Sequence, residues 1–98
     1  MRIVWSPLAM DRASEIAQYI ALDKPSAAEN WINTIFTKVE RLEFLPDIGR
    51  IVPEVNNRQI RELVYGNYRI IYRIETEQVS ILTIRHGKQI LPIDEIMV

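Results

Sequence analysis

Arg2 to Trp5 is a short apolar, partly β-branched run that reads as a strand, and Ser6-Pro7 then supplies an N-cap residue and a proline at the first helical position. Leu8, Ala9, Ala13, Ile16, Tyr19 and Ile20 recur at three- and four-residue steps with Asp11, Arg12, Glu15 and Gln18 between them, the pattern of a one-sided amphipathic helix. That helix is expected to end near Asp23-Lys24-Pro25. Ser26-Ala27-Ala28-Glu29 has the form of a capping box, and Ile32, Ile35, Phe36, Val39 and Leu42 mark one face of a second, longer helix that Pro46 follows. So short a link predicts an antiparallel helical hairpin whose apolar stripes need a further cover.

From Gln59 onward the period changes to two. Leu63 and Tyr65, then Tyr68, Ile70, Tyr72 and Ile74, then Val79, Ile81 and Thr83 can share one sheet face. Gly66-Asn67 and Thr76-Glu77 sit where two-residue hairpin turns belong, which sets residue 63 opposite 70 and 70 opposite 83. The other face then carries Glu62, Val64, Arg69, Ile71, Arg73, Leu82, Ile84 and His86, a mixed and concave surface. The prediction is an α+β fold: an N-terminal strand and an antiparallel two-helix hairpin packed on one face of a curved antiparallel β-sheet. With 98 residues, 48% of them hydrophobic and 26% charged, and no shift of composition along the chain, one domain spanning 1–98 is expected.

The chain has no cysteine, which removes disulfides and Cys-based zinc sites and suggests a reducing compartment. Its start has no apolar region of signal-peptide length and no run approaches a bilayer span, so a cytosolic, membrane-free protein is expected. Net charge is only −1, but residues 50–73 hold Arg50, Arg58, Arg61, Arg69 and Arg73 against Glu54 and Glu62, five minus two or +3. Guanidinium groups match phosphates and carboxylates bidentately, so this segment is suited to RNA or to an acidic protein strand; solvated cross-strand Glu–Arg pairs are the plainer alternative.

Gly49, Gly66 and Gly87 are too sparse for a phosphate-cradling loop, which excludes kinases and dehydrogenases. No cofactor or metal is implied. The lone histidine, His86, can serve as a general base or simply end a strand. Arg61, Arg69, Arg85 and His86 could hold a phosphate during metal-independent RNA cleavage, although the expected register puts Arg69 and His86 on one face and Arg61 and Arg85 on the other, unless a bulge intervenes. Trp5 and Trp31 are read as packing residues rather than base-stacking platforms. Leu45-Pro46-Asp47-Ile48-Gly49-Arg50 reads as the turn joining helix to sheet, and the apolar end Ile96-Met97-Val98 as a segment that docks on the core or on a partner.

Taken in order and spacing, Leu45-Pro46-Asp47-Ile48-Gly49-Arg50, Val52-Pro53-Glu54, Ile60-Arg61-Glu62-Leu63, Gly66-Asn67-Tyr68-Arg69-Ile70-Ile71-Tyr72-Arg73-Ile74 and Val79-Ser80-Ile81-Leu82-Thr83-Ile84-Arg85-His86-Gly87 resemble the RelE/ParE toxin superfamily. The resemblance implies the same architecture, a growth-inhibiting toxin of the bacterial cytosol, and a cognate antitoxin that wraps or caps it in a hetero-oligomer. RelE-like members cleave ribosome-bound mRNA, whereas ParE-like members act on DNA gyrase. Arg69 matches the arginine with which RelE-like enzymes stabilise the transition state. Glu62, however, stands where a catalytic lysine is expected, Gln89 where a second arginine follows, and no tyrosine occurs after Tyr72. These departures favour the gyrase-directed reading over ribonuclease action, with a non-toxic binding module of the same fold as a third reading. On the ribonuclease reading Arg69 and His86 are catalytic, and Arg69→Ala is expected to leave the fold intact. Arg50, Arg61, Arg73 and Arg85 are the candidates for holding target or antitoxin.

Overall fold

The structure is a computed structural model that describes residues 1–96. Strand β1 (Arg2–Trp5) leads into helix α1 (Pro7–Asp23) and helix α2 (Pro25–Glu40), after which two 3₁₀ turns (Arg41–Glu43 and Pro46–Ile48) reach strand β2 (Arg50–Ile51). Strands β3 (Ile60–Tyr65), β4 (Tyr68–Ile74) and β5 (Gln78–His86) follow, and a third 3₁₀ turn covers Ile93–Glu95. The α+β architecture is the one the hydrophobic pattern predicts.

α1 begins as its sequence dictates: the Ser6 hydroxyl accepts from the Ala9 amide at 3.0 Å while Pro7 occupies the first helical position. The capping box predicted for α2 does not form. Pro25 opens the helix, Lys24 is its N-cap without a side-chain bond, and Ser26 already lies in the first turn. A proline at the first position makes the start two residues earlier favourable, because its missing N–H needs no partner there. Tyr19, assigned to the inner stripe, is exposed.

The sheet order is β1-β5-β4-β3-β2. The β3–β4 and β4–β5 hairpins have the predicted two-residue turns, with Gly66 at φ 57° and with the Glu75 amide donating to the Gln78 carbonyl at 2.8 Å. The sheet is mixed: β1 joins as an edge strand parallel to β5, with Ile3 beside Val79 and Trp5 beside Ile81. Only a tight hairpin forces antiparallel pairing, and β1 is separated from β5 by the whole chain.

Leu63 lies opposite Ile70 as expected, but Ile70 lies opposite Ile84 and not Thr83. The register shifts between Ile71, paired with Thr83, and Tyr72, paired with Ile81, so Leu82 is an extra residue in β5. One inserted residue returns every later side chain of β5 to the opposite face. Ile84 therefore joins Ile70, Tyr72, Val79 and Ile81 beneath the helices, where Ala9, Ala13, Trp31, Ile35, Val39 and Leu42 meet them. Trp31 packs edge-on to Tyr68 and Trp5 against Phe36, the packing roles expected of both tryptophans.

The other sheet face is not the open, mixed surface that alternation predicts. Ile71 and Leu82 are covered there by Val52, Ile60, Leu91 and Ile96, which make a second apolar cluster. Leu91 and Ile96 bring the C-terminal segment back across the sheet, so the first residue of the apolar end docks on the core; Met97 and Val98 lie outside the described residues. No helix among the described residues is long and apolar enough to cross a membrane.

Candidate functional site

β-sheet register builds a chain of charges across this second face. Arg50 on β2 lies opposite Glu62 on β3, and Arg69 on β4 lies opposite Val64, one step along. Side chains two apart on facing strands can touch, and here they do. Glu62 has no side-chain exposure; one of its oxygens accepts from Arg69 Nε and the other from Arg50 Nε, each at 2.5 Å. Glu54, in the loop after β2, completes the chain: its two oxygens accept from Arg69 Nη1 and Nη2 at 2.8 and 2.9 Å. The result is an alternating row, Arg50, Glu62, Arg69, Glu54, in which two arginines meet two carboxylates.

The electrostatics follow from this geometry. The hydrogen bonds from Arg69 hold the Glu54 carboxyl down at about 2, against a partial desolvation that acts the other way. Reciprocally, Glu54 and then Glu62 raise Arg69 above the usual arginine range. Arg69 is thus a buried cation with Nε, Nη1 and Nη2 all committed to carboxylates. Removing it would leave Glu62 buried with Arg50 alone, which gives Arg69 a structural role that the expectation of a tolerated Arg69→Ala does not take into account.

Sequence reasoning counted Glu54 and Glu62 as charges, offered cross-strand Glu–Arg pairs as the plainer use of this segment without naming the partners, and read Glu62 also as a departure from a catalytic lysine. The signal for Glu62 was present, because the hairpin register places it diagonally across from Arg69. Nothing in the sequence traces the path of the 52–59 loop that delivers Glu54.

The bulge rearranges the remaining candidates. Arg85 becomes the cross-strand partner of Arg69, while His86 lies opposite Tyr68, their rings meeting edge-on at 5.6 Å between centroids. Arg69 and His86 therefore do not share a face as the uninterrupted register predicts. The guanidinium of Arg85 turns to Glu95 at 3.3 Å, a carboxylate that also receives Arg12 at 3.0 Å and the Thr83 hydroxyl at 2.8 Å. Glu95 titrates below the usual carboxylate value; burial acts most strongly and in the opposite direction, and the bonds from Thr83 and Arg12 outweigh it together. Arg61, opposite Tyr72, donates to the carbonyls of Gly49 at 3.0 Å and Arg58 at 3.0 Å, tying down the turn that enters β2. Arg73 lies opposite Ile60 and pairs with Glu75 at 3.7 Å. Arg50, Arg61, Arg73 and Arg85 thus serve four local contacts and do not form one cationic patch.

The turn itself hangs on a buried phenol. Tyr72 is fully buried, its hydroxyl donates to the Pro46 carbonyl at 2.7 Å and accepts from the Gly49 amide at 3.0 Å, and burial pushes its pKa up. A Cβ on Gly49 would stand 2.4 Å from that hydroxyl and 2.6 Å from the Glu62 carbonyl, so glycine is required here by close approach.

At the far end of β5 the Nδ1 atom of His86 accepts from the Lys88 amide at 3.2 Å, and the His86 amide donates to the Gln89 side chain at 3.2 Å. Gln89, where an arginine would extend a cationic site, is used to close the strand end.

This fold has relatives. The structure superposes on a chain of the chromosomal ParDE toxin–antitoxin system from P. aeruginosa with a TM-score of 0.73, covering 90% of this chain and 97% of that one at 21% identity. It also superposes on a chain of the toxin–antitoxin complex RelBE2 from Mycobacterium tuberculosis with a TM-score of 0.55, covering 87% and 95% at 18% identity. In sequence it is 39% identical, over 93% of both chains, to a protein of Sinorhizobium fredii (strain NBRC 101917 / NGR234) whose name is "Putative toxin Y4kP". Residues 3–91 match the family described as the ParE toxin of the type II toxin–antitoxin system parDE. The chain belongs to the ParE toxin family of type II toxin–antitoxin systems, within the RelE/ParE superfamily.

Proposed function

We propose that this chain inhibits bacterial growth in the cytosol by acting on DNA gyrase and is neutralised by a cognate antitoxin. The observation that carries this reading over RNA cleavage is the ion-pair row. Transition-state stabilisation in RNA cleavage needs a cation free to meet the developing charge on phosphate. Arg69, the residue matching the RelE-like arginine, has instead formed charge-assisted bonds to Glu54 and Glu62. Freeing it would leave the fully buried Glu62 with Arg50 alone, a cost on the order of 3–5 kcal/mol by comparison with broken buried pairs. His86 offers no ready base either, because its Nδ1 already accepts from the Lys88 amide.

The purified chain added to a gyrase supercoiling reaction is expected to abolish supercoiling or trap cleaved DNA. A parallel translating-ribosome reaction with labelled mRNA should show intact message. Codon-spaced mRNA cuts with normal supercoiling would overturn the proposal.

A further inference from the structure

Beside the ion-pair row, where the β3–β4 turn meets the end of β5, the surface opens into a cavity of about 280 Å³ lined by Arg50, Glu54, Val64, Arg69, His86 and Lys88 among others. Its anions are already matched: Glu54 by both Nη groups of Arg69, Glu62 beneath it by Arg69 and Arg50. Its cations are not. Arg50 spends only Nε on Glu62, and its side chain is 62% exposed. Lys88 is exposed and bonds only through its backbone amide among the described residues. With Nδ1 of His86 accepting from the Lys88 amide, Nε2 is the ring nitrogen left to donate. Three cations (Arg50, Arg69, Lys88) against two carboxylates (Glu54, Glu62) leave one net positive charge, with uncommitted donors on three side chains.

We propose that this cavity receives a single carboxylate side chain from an acidic, apolar-bearing segment of a protein partner. The proposal rests on the reading that an antitoxin binds this chain, and it names one point of that contact. One surplus charge and a guanidinium fork suit one carboxylate. Half-exposed Val64 forms an apolar wall beside it. A nucleic-acid strand fits less well: it carries a charge at every nucleotide and seeks free aromatic faces, whereas Tyr68, the ring at this cavity, is engaged by Trp31 and His86.

The test uses the full chain and a synthetic peptide of alternating Glu and Leu, with a Gln–Leu peptide and an oligoribonucleotide of equal length as comparators. Nuclear magnetic resonance follows the His86 ring and the Gly66 and Gly87 amides. Saturable shifts with the Glu–Leu peptide alone are expected, weakened roughly two- to fivefold by Lys88→Gln and by His86→Gln, the range for one partly exposed charged contact. Both side chains lie outside the buried ion pairs, so these variants should keep the fold where Arg50→Gln would disturb Glu62. Equal shifts with the Gln–Leu peptide, tighter binding of RNA, or no response to either variant would overturn the proposal. Growth rescue by co-expressing the neighbouring gene is scored separately: rescue without peptide binding sinks this site alone, and peptide binding without rescue sinks the antitoxin reading alone.

Discussion

Arg69 shows what burial does to a functional-looking side chain. An arginine on a central strand could face a ligand, yet here the guanidinium is the hub of two carboxylates, one fully buried. Truncating it removes the more buried of the two partners of Glu62 and leaves an under-compensated charge in the sheet face. Arg69→Ala should therefore destabilise the chain by about 3–5 kcal/mol in urea denaturation. The double replacement Arg69→Met with Glu62→Leu should recover much of that loss, because apolar residues of similar volume need no partner. A single Arg69→Ala variant as stable as the wild type would show that the row is solvated in solution. Glu54 gives the same row a pH signature. Its folded pKa of about 2 lies below its ordinary 4.5, so its contribution is fully present above about 4.5 and is lost as pH falls toward 2. The stability gap between the wild type and Glu54→Gln should be constant above pH ~5 and close over that interval, and it should be small, since Glu54 is 42% exposed at its side chain. A gap that persists at the acid end would assign the stability to shape, not charge.

At the scale of elements, the helix-to-sheet turn is fixed from across the sheet. Tyr72 reaches under it to bond Pro46 and Gly49, and the close approach of Gly49 to Tyr72 and Glu62 leaves no room for a Cβ. Gly49→Ala should lower stability by about 1–3 kcal/mol, the scale of an overpacking strain, whereas Tyr72→Phe should cost about 1–2 kcal/mol through the bonds it removes. Thermal unfolding of both variants checks the pair; a neutral Gly49→Ala would show that the turn can move away. These elements also mark how far the sequence could be read. Helices, hairpin turns and the Leu63–Ile70 register were legible because each rests on local periodicity or on two-residue turn chemistry. The extra residue Leu82 was not, since the β-branched and apolar run Ile81-Leu82-Thr83-Ile84 looks the same with or without a bulge. That single unread residue moved Ile84 and His86 to the helix side and brought Arg85 beside Arg69. The parallel placement of β1 and the path of the Glu54 loop were equally hidden, both being set by contacts distant in sequence.

For the whole molecule, the bulge and the returning C-terminal segment convert a one-sided sheet into one with apolar clusters on both faces. Ile70 faces the helices and Ile71, its neighbour in the same strand, faces Leu82, Leu91 and Ile96. The two clusters are thus joined through the backbone of β4 and should not unfold separately. Ile96 is fully buried, so Ile96→Ala should destabilise by about 2–5 kcal/mol, the transfer and cavity cost of a large-to-small core change. Because the loss propagates through β4, tryptophan fluorescence, which reports the helix-side cluster through Trp5 and Trp31, should shift to lower urea midpoint together with far-ultraviolet circular dichroism. If the tryptophan midpoint stays at the wild-type value, the 91–96 segment is a separately released flap, and the sheet face beneath it is held independently of the helical hairpin.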